Sequence, residues 1–173
     1  MKKVLIIISV FIIFAIILIG TTYRQIDTNY LRIHIRANSN AEVDQIIKYK
    51  IKDQIVEYLT PHIATCNSFD DVKSCLEENL DKIDKVATSV LKDNNYQYEA
   101  HSKVTAEEFP TRSYGDFVLE AGYYDALIVE LGEAKGDNWW CVVYPPLCFT
   151  STQSGSNAIY RSRILDLIYN RNN

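Results

Sequence analysis

The chain has 173 residues, of which 47% are apolar, and it carries 18 basic against 22 acidic side chains. That length suits one domain with or without a tail. The net charge of −4 argues against a protein that holds nucleic acid by neutralising phosphates, so we expect no nucleic-acid partner. The composition is neither collagen-like nor low in complexity, which argues against wholesale disorder.

The apolar residues are concentrated at the start of the chain. Two lysines precede residues 4–20, a run of seventeen in which Ser9 is the only polar side chain besides a glycine. A charged start and an apolar run are typical of a secretory signal, and this run is also close to the length of a spanning helix. We therefore predict a signal or anchor segment over residues 1–23, with membrane attachment through residues 4–20. An uncleaved anchor is the first expectation and a cleaved signal the alternative, and the lysines place the rest of the chain outside the cytoplasm.

The first strand candidate follows this leader. Residues 31–36 alternate strictly between polar and apolar side chains, which is typical of a half-buried strand. Its polar face consists of Arg32, His34 and Arg36, which we expect at the surface. His34 is accordingly interpreted as a surface residue rather than a catalytic or metal-binding one.

Two helices are predicted next. The first begins at a capping box of Ser39 and Glu42 and runs to about Leu59, because Pro61 stops it. The second begins at a capping box of Ser68 and Asp71 and carries apolar residues every three or four positions. Together they form a predicted two-helix hairpin. The buried stripe of the first helix is expected to be Val43, Ile47, Ile51, Ile55 and Leu59.

Residues after position 95 favour strands. The last two strand candidates should pair as an antiparallel hairpin across the loop at residues 132–138. A strand, two helices and a run of strands predict an α+β domain with a mostly antiparallel sheet. The strand candidates are residues 96–104, 117–119, 123–131 and 139–144.

The chain is therefore expected to have three parts. Residues 1–23 are the signal or anchor segment, and residues 24–150 are the α+β domain. Residues 151–173 combine a polar linker with a C-terminal helix, because a stretch rich in Ser, Thr and Gly precedes an amphipathic pattern.

Four cysteines fall into two close pairs, Cys66 with Cys75 and Cys141 with Cys148. An exported domain meets oxidising conditions, so an even count with local pairs is compatible with disulfides. Cys141 and Cys148 are the better candidates, because two prolines before Cys148 can turn the chain back. The alternative is that some of these residues are buried apolar thiols.

The chain offers little support for catalysis or metal binding. Cys141 and Cys148 have six residues between them, whereas structural zinc sites usually have two to four. The loop at residues 132–136 lacks the lysine and the following helix of a phosphate-binding loop. Glu107 and Glu108 are adjacent and would face opposite sides of a strand. We therefore expect no enzyme, no metal and no cofactor.

Two segments are rich in the residue types that dominate protein interfaces. Residues 109–115 form an aromatic and cationic loop, and residues 138–149 contain two adjacent tryptophans. Side chains alternate along a strand, so the two indoles point in opposite directions. The alternative is that helices cover both faces and both tryptophans lie in the core. The predicted partner-binding residues are Phe109, Arg112, Tyr114, Trp139 and Trp140.

The same segments resemble the stage II sporulation protein R family. The resemblance covers about residues 31–149, and the last block is long enough to be specific. Asn40 departs from the family pattern, where an aspartate is expected. The residues that carry the resemblance are 32–40, Asp44, Gln45, Lys48, 109–115 and 132–149.

That resemblance implies a non-enzymatic signal of endospore-forming bacteria. Such a protein is made in the forespore and enters the space between the forespore and mother-cell membranes, either released or anchored. There it triggers a membrane-embedded aspartic protease, which cleaves pro-sigma-E. From the residues alone, the alternative is an exported or membrane-anchored Cys-dependent enzyme that uses Cys141 or Cys148, and a weaker one is a structural envelope protein.

Overall fold

The computed structural model describes residues 29–114, 117–146 and 148. The predicted leader at 1–23 and the predicted tail at 151–173 lie outside the described residues. Within the described part, no helix combines the length and apolarity needed to cross a bilayer. The elements are β1 (Leu31–Arg36), α1 (Glu42–Ile63), α2 (Phe69–Glu78), α3 (Leu80–Asp93), β2 (Ala100–Phe109), β3 (Arg112–Tyr114), β4 (Phe117–Leu119), β5 (Gly122–Leu131) and β6 (Asn138–Tyr144).

The main sheet has the strand order β2-β5-β1-β6. β2 and β6 pair antiparallel with their neighbours, whereas β1 and β5 run parallel. The prediction of an α+β domain with a mostly antiparallel sheet is confirmed. β3 and β4 form a separate two-stranded hairpin, so the segment predicted as a loop at residues 109–115 contains a short strand.

The predicted β5–β6 hairpin is wrong, because β1 lies between these two strands. Ile33 of β1 pairs with Leu127 of β5 on one side and with Cys141 of β6 on the other. The connection from β5 to β6 crosses the end of β1, where Gly136 N–H donates to the Ala37 carbonyl at 2.9 Å. A short connection therefore does not make its two strands neighbours here.

The first helix departs from its predicted ends. It runs through Pro61 to Ile63, and Ala64 N–H still donates to the Thr60 carbonyl at 3.1 Å. A proline this close to the end of a helix removes only one backbone donor. The predicted buried stripe lies in the core except for Val43, which is 60% exposed.

The N-terminal end of α1 also lacks the predicted capping box. Ser39 accepts a hydrogen bond from Ala41 N–H at 3.1 Å and donates one to Asp44 at 2.6 Å. The N-cap position is Ala41, with no side-chain cap. The Ser39 hydroxyl, which was expected to cap α1, therefore connects the turn before the helix to the buried Asp44 carboxylate.

The second predicted helix is two helices that meet at Asn79. Its N-terminal capping is confirmed, since Asp71 N–H donates to Ser68 Oγ at 3.1 Å. The Asn79 side chain donates to the Cys75 carbonyl at 2.7 Å and accepts from the Tyr58 hydroxyl at 2.7 Å. An asparagine that bonds to the preceding turn competes with the helix and ends it. The predicted two-helix hairpin therefore becomes a long helix followed by two shorter ones.

The helices pack on one face of the main sheet, which we call the helix face. Its core includes Ile33 and Ile35 of β1 and Leu127 and Val129 of β5, all fully buried. The opposite face, which we call the back face, holds a smaller apolar cluster around Phe109, Tyr124, Ala126 and Ile128. Because side chains alternate along a strand, every second side chain points to the helix face and the others point to the back face.

The crossing of the β5–β6 connection over β1 can be tested at Gly136. A Cβ at this position would overlap the Ser39 carbonyl, and that backbone cannot move without breaking the crossing. We expect Gly136→Ala to lower the free energy of unfolding by about 1–3 kcal/mol, as overpacking commonly does. Urea denaturation of the full chain measures this.

The matched control is Gly122→Ala. A Cβ at Gly122 meets Tyr124 at 3.7 Å, which is an ordinary contact. This variant should unfold at nearly the wild-type urea concentration. Equal stability of the two variants would show that the connection does not lie against the end of β1.

Candidate functional site

Arg32 and His34 of β1 are buried, contrary to the prediction of a solvent-exposed polar face, whereas Arg36 is partly exposed. Arg32 is 0% exposed and His34 is 4% exposed. The reason is that β1 is a central strand between β5 and β6, and aromatic side chains from β2, β3, β5 and β6 cover these two residues. Charged groups in such a position require partners, and these partners define the candidate site.

Arg32 lies among aromatic rings on the back face. Its guanidinium carbon is 4.1 Å from the Phe109 ring centroid and 4.8 Å from that of Tyr124. Its Nη2 donates to the Tyr114 hydroxyl at 2.9 Å. Among the described residues, Nε and Nη1 have no hydrogen-bond acceptor. Cation–π contacts stabilise this charge in part, but no described carboxylate neutralises it.

His34 follows Arg32 on the same face. Its Nδ1 lies 2.9 Å from Glu107 Oε2, and its ring centroid lies 5.3 Å from that of Trp140. Burial lowers the His34 pKa to about 4, against a smaller rise from Asn138, so the imidazole is neutral at neutral pH. The neutral ring then keeps its proton on Nδ1, facing Glu107, and Nε2 has no well-aligned partner in the described part of the chain.

The acidic groups of the back face are already paired. Arg36 forms ion pairs with Glu107 and Glu130, the latter at 2.8 Å. Lys103 also reaches Glu130, at 3.1 Å. These contacts satisfy Arg36, whereas no carboxylate of the described residues pairs with Arg32.

Four of the five predicted partner-binding residues lie beside Arg32 and His34, directly or through a neighbour. Phe109 and Tyr114 contact Arg32 directly, and the Arg112 guanidinium carbon is 4.0 Å from the Trp140 ring centroid. Phe109 is fully buried, so its contribution is packing against the guanidinium. A role of these residues in partner binding stays a prediction.

The fifth residue, Trp139, lies on the other side of the sheet. It packs against the main core, and the Lys52 Nζ lies 5.8 Å from its ring centroid. The opposite orientation of the two indoles agrees with strand alternation. The sequence pattern predicted the aromatic residues of the site but not Arg32 and His34. These two alternate with apolar residues, a pattern that predicts a solvent-exposed polar face.

A second buried polar cluster ties the start of α1 to its surroundings. Asp44 accepts hydrogen bonds from Asn38 at 2.9 Å, Ser39 at 2.6 Å and Tyr98 at 2.8 Å. Burial raises its pKa, but these bonds outweigh it, and the net direction is downward. Lys48 donates to the Asp137 carbonyl at 2.9 Å. These groups are partnered, which gives the cluster a structural role and sets Arg32 apart.

The cysteines have two different states. Cys141 and Cys148 are joined in a disulfide with their Cα atoms 6.1 Å apart, while Cys66 and Cys75 are free. Burial, together with the neighbouring Cys75, raises the pKa of Cys66 to about 11. A thiol in this state carries little thiolate at neutral pH, and a disulfide sulfur is not a free nucleophile. No cluster of metal-ligating side chains occurs among the described residues.

A groove of about 530 Å³ lies between α3 and β2. Its lining mixes acidic groups such as Asp81 and Asp84 with basic groups such as Lys85, Lys92 and His101. The mixture does not favour a ligand of one charge. The back face, with its uncompensated arginine, is the better candidate site.

Fold and site together define a small α+β domain with a buried basic cluster on one sheet face. The chain belongs to the stage II sporulation protein R family, whose model matches residues 27–154. This confirms the resemblance seen in the sequence, and membership supports a role in sporulation.

A curated relative gives the same assignment. The stage II sporulation protein R of Bacillus subtilis (strain 168) is 31% identical over 125 residues, which cover 72% of this chain and 56% of that protein. The chain therefore matches little more than half of the relative's length. No solved structure matches the chain.

The buried state of His34 predicts a pH dependence of stability. Its pKa is about 4 in the folded chain against 6.5 for the ordinary value, so the unfolded chain binds more protons between these limits. Stability from this group is full above about pH 6.5 and is lost as the pH falls to about 4, by up to about 2–3 kcal/mol. Urea denaturation between pH 7 and pH 4 measures it.

His34→Gln removes the titrating group and should flatten this part of the pH dependence. His101→Gln is the matched control, because His101 is an exposed histidine of the same sheet. It should keep the wild-type profile. A His34→Gln profile parallel to that of the wild type would contradict a buried neutral His34.

Proposed function

We propose that this chain is an exported forespore signalling protein that activates a membrane-embedded aspartic protease, which then processes pro-sigma-E during sporulation. The observation that carries the proposal is the family match over residues 27–154, which includes every described element. We propose that residues 4–20 direct the chain to the forespore membrane and that the domain acts in the intermembrane space.

Activation requires preferential binding to one state of the protease. A ligand shifts an equilibrium only by its difference in affinity for the two states, so this domain must bind the active state more tightly. The back face supplies groups that suit such an interface, because arginine, tyrosine and tryptophan dominate interface energetics. Arg112, Tyr114 and Trp140 are half-buried there, and they remain our proposed contact residues.

A ligand role has more support than a Cys-dependent enzyme. Such an enzyme needs an accessible thiolate with a base nearby. Cys141 and Cys148 are joined to each other, and the Cys66 thiol has a raised pKa. We therefore propose a non-enzymatic protein.

The proposal is tested by co-expressing the full chain with the protease and pro-sigma-E in a host that lacks all three. Processing should appear as a shorter sigma-E band on an immunoblot and should require all three proteins. A chain without residues 1–23 is the matched control, and it should give no processing because its domain stays in the cytoplasm. Absence of processing with all three proteins present and stable would contradict the proposal.

The oxidation state of the exported protein gives a separate prediction. The intermembrane space is expected to be oxidising enough for the Cys141–Cys148 disulfide, while Cys66 and Cys75 stay reduced. Alkylation of the unreduced, denatured protein should label two thiols, and alkylation after reduction should label four. Intact mass measures both numbers and also reports whether the leader is removed. Four labelled thiols without reduction would exclude the disulfide.

A further inference from the structure

We propose that the back face carries a carboxylate-binding site centred on Arg32, and that its ligand is an acidic side chain of the protein partner. This inference rests on the proposed function, since the partner is the protease that the chain is proposed to activate. It adds the chemistry of recognition, which neither the family nor the relative's name provides.

The first argument is the state of Arg32 itself. The residue is 0% exposed, and its Nε and Nη1 have no acceptor among the described residues. Arginine is almost never fully buried unless it is paired, because desolvation of the charge is costly. The aromatic rings and the Tyr114 hydroxyl compensate only part of that cost. The guanidinium therefore retains unused capacity to bind an anion.

The second argument is that the neighbouring carboxylates are committed elsewhere. Glu107 pairs with His34 and Arg36, and Glu130 pairs with Arg36 and Lys103. Moving Glu107 to Arg32 would break its contacts with His34 and Arg36, and moving Glu130 would break its ion pairs with Arg36 and Lys103. An external carboxylate avoids this exchange, so the anion is expected to come from a partner.

The third argument is the nature of the cover over Arg32. β3 and β4 form a sheet of their own, without backbone pairing to the main sheet. Side-chain contacts connect this hairpin to its surroundings: Tyr114 to Arg32 at 2.9 Å, Arg112 over Trp140 at 4.0 Å and Phe117 with Tyr30 at 5.6 Å. A hydrogen bond from a guanidinium to a carboxylate is stronger than one to a neutral phenol. A partner's carboxylate can thus replace the Tyr114 hydroxyl as the acceptor.

The surroundings favour a carboxylate over a larger anion. The guanidinium lies against the rings of Phe109 and Tyr124, which leaves a flat, apolar setting for its remaining N–H groups. A planar carboxylate matches the planar fork of a guanidinium, and in such a desolvated setting the pair is strong. The chain is acidic overall, and most of its surface therefore repels an acidic partner. A basic site on the back face attracts that partner locally and so fixes its orientation.

The test compares Arg32→Met with Lys92→Met in the full chain. Both variants remove one positive charge, but Lys92 lies on α3, on the other side of the sheet. We expect Arg32→Met to keep or raise the melting temperature, because an apolar side chain of similar size suits a buried site. Processing of pro-sigma-E should need at least about tenfold more Arg32→Met protein, the effect of losing one charged contact. Lys92→Met should process like the wild type.

The outcomes separate this inference from the proposed function. Normal processing by Arg32→Met, or a parallel loss of melting temperature and processing, would overturn the carboxylate site and leave the signalling role intact. If the wild type itself gives no processing, the proposed function fails, and the site is then tested by binding alone.

The binding test uses a hexaglutamate peptide and, separately, inorganic phosphate. The peptide should raise the melting temperature of the wild type and not that of Arg32→Met, because a ligand stabilises the state that binds it. A rise with phosphate alone would overturn the choice of a carboxylate. No rise with either anion would overturn the site.

Discussion

The position of β1 in the centre of the main sheet determines the rest of the structure. Residues 32–36 each have a neighbour in β5 and another in β6, so both edges of the strand are paired within the sheet. The apolar half of the strand anchors the helices, and the polar half is enclosed with Arg32 and His34. Burial lowers the pKa of His34 to about 4 and so leaves its ring neutral at neutral pH, whereas the enclosed Arg32 is a cation.

This asymmetry gives the back face its chemical character. Arg36, at the more open end of the strand, has two glutamates, whereas Arg32 has aromatic rings and one phenol. Arg32 is buried with no counter-charge among the residues that the structure describes, at a cost that packing alone would not require. The burial of the Arg32 charge does not stabilise the fold, so binding of a partner explains it better. The proposed signalling role supplies such a partner.

The sequence contained most of the elements but not their arrangement. Hydrophobic periodicity predicted α1 and most of the strands, and the capping pattern predicted the Ser68 cap, because these features depend on neighbouring residues. The place of β1 depends on long-range pairing, such as that of Ile33 with Leu127, 94 positions away, and with Cys141, 108 positions away, which no local pattern reveals. The burial of Arg32 follows from that pairing, so the central residue of the site was missed while its aromatic neighbours were found.

The most direct test of the account is an experimental structure of the full chain bound to the protease. The account predicts one partner carboxylate oxygen about 2.7–3.0 Å from Nη2 of Arg32, in place of the Tyr114 hydroxyl, and the other at the same distance from Nε or Nη1. An interface elsewhere on the domain, with Arg32 still enclosed by Phe109, Tyr114 and Tyr124, would contradict it.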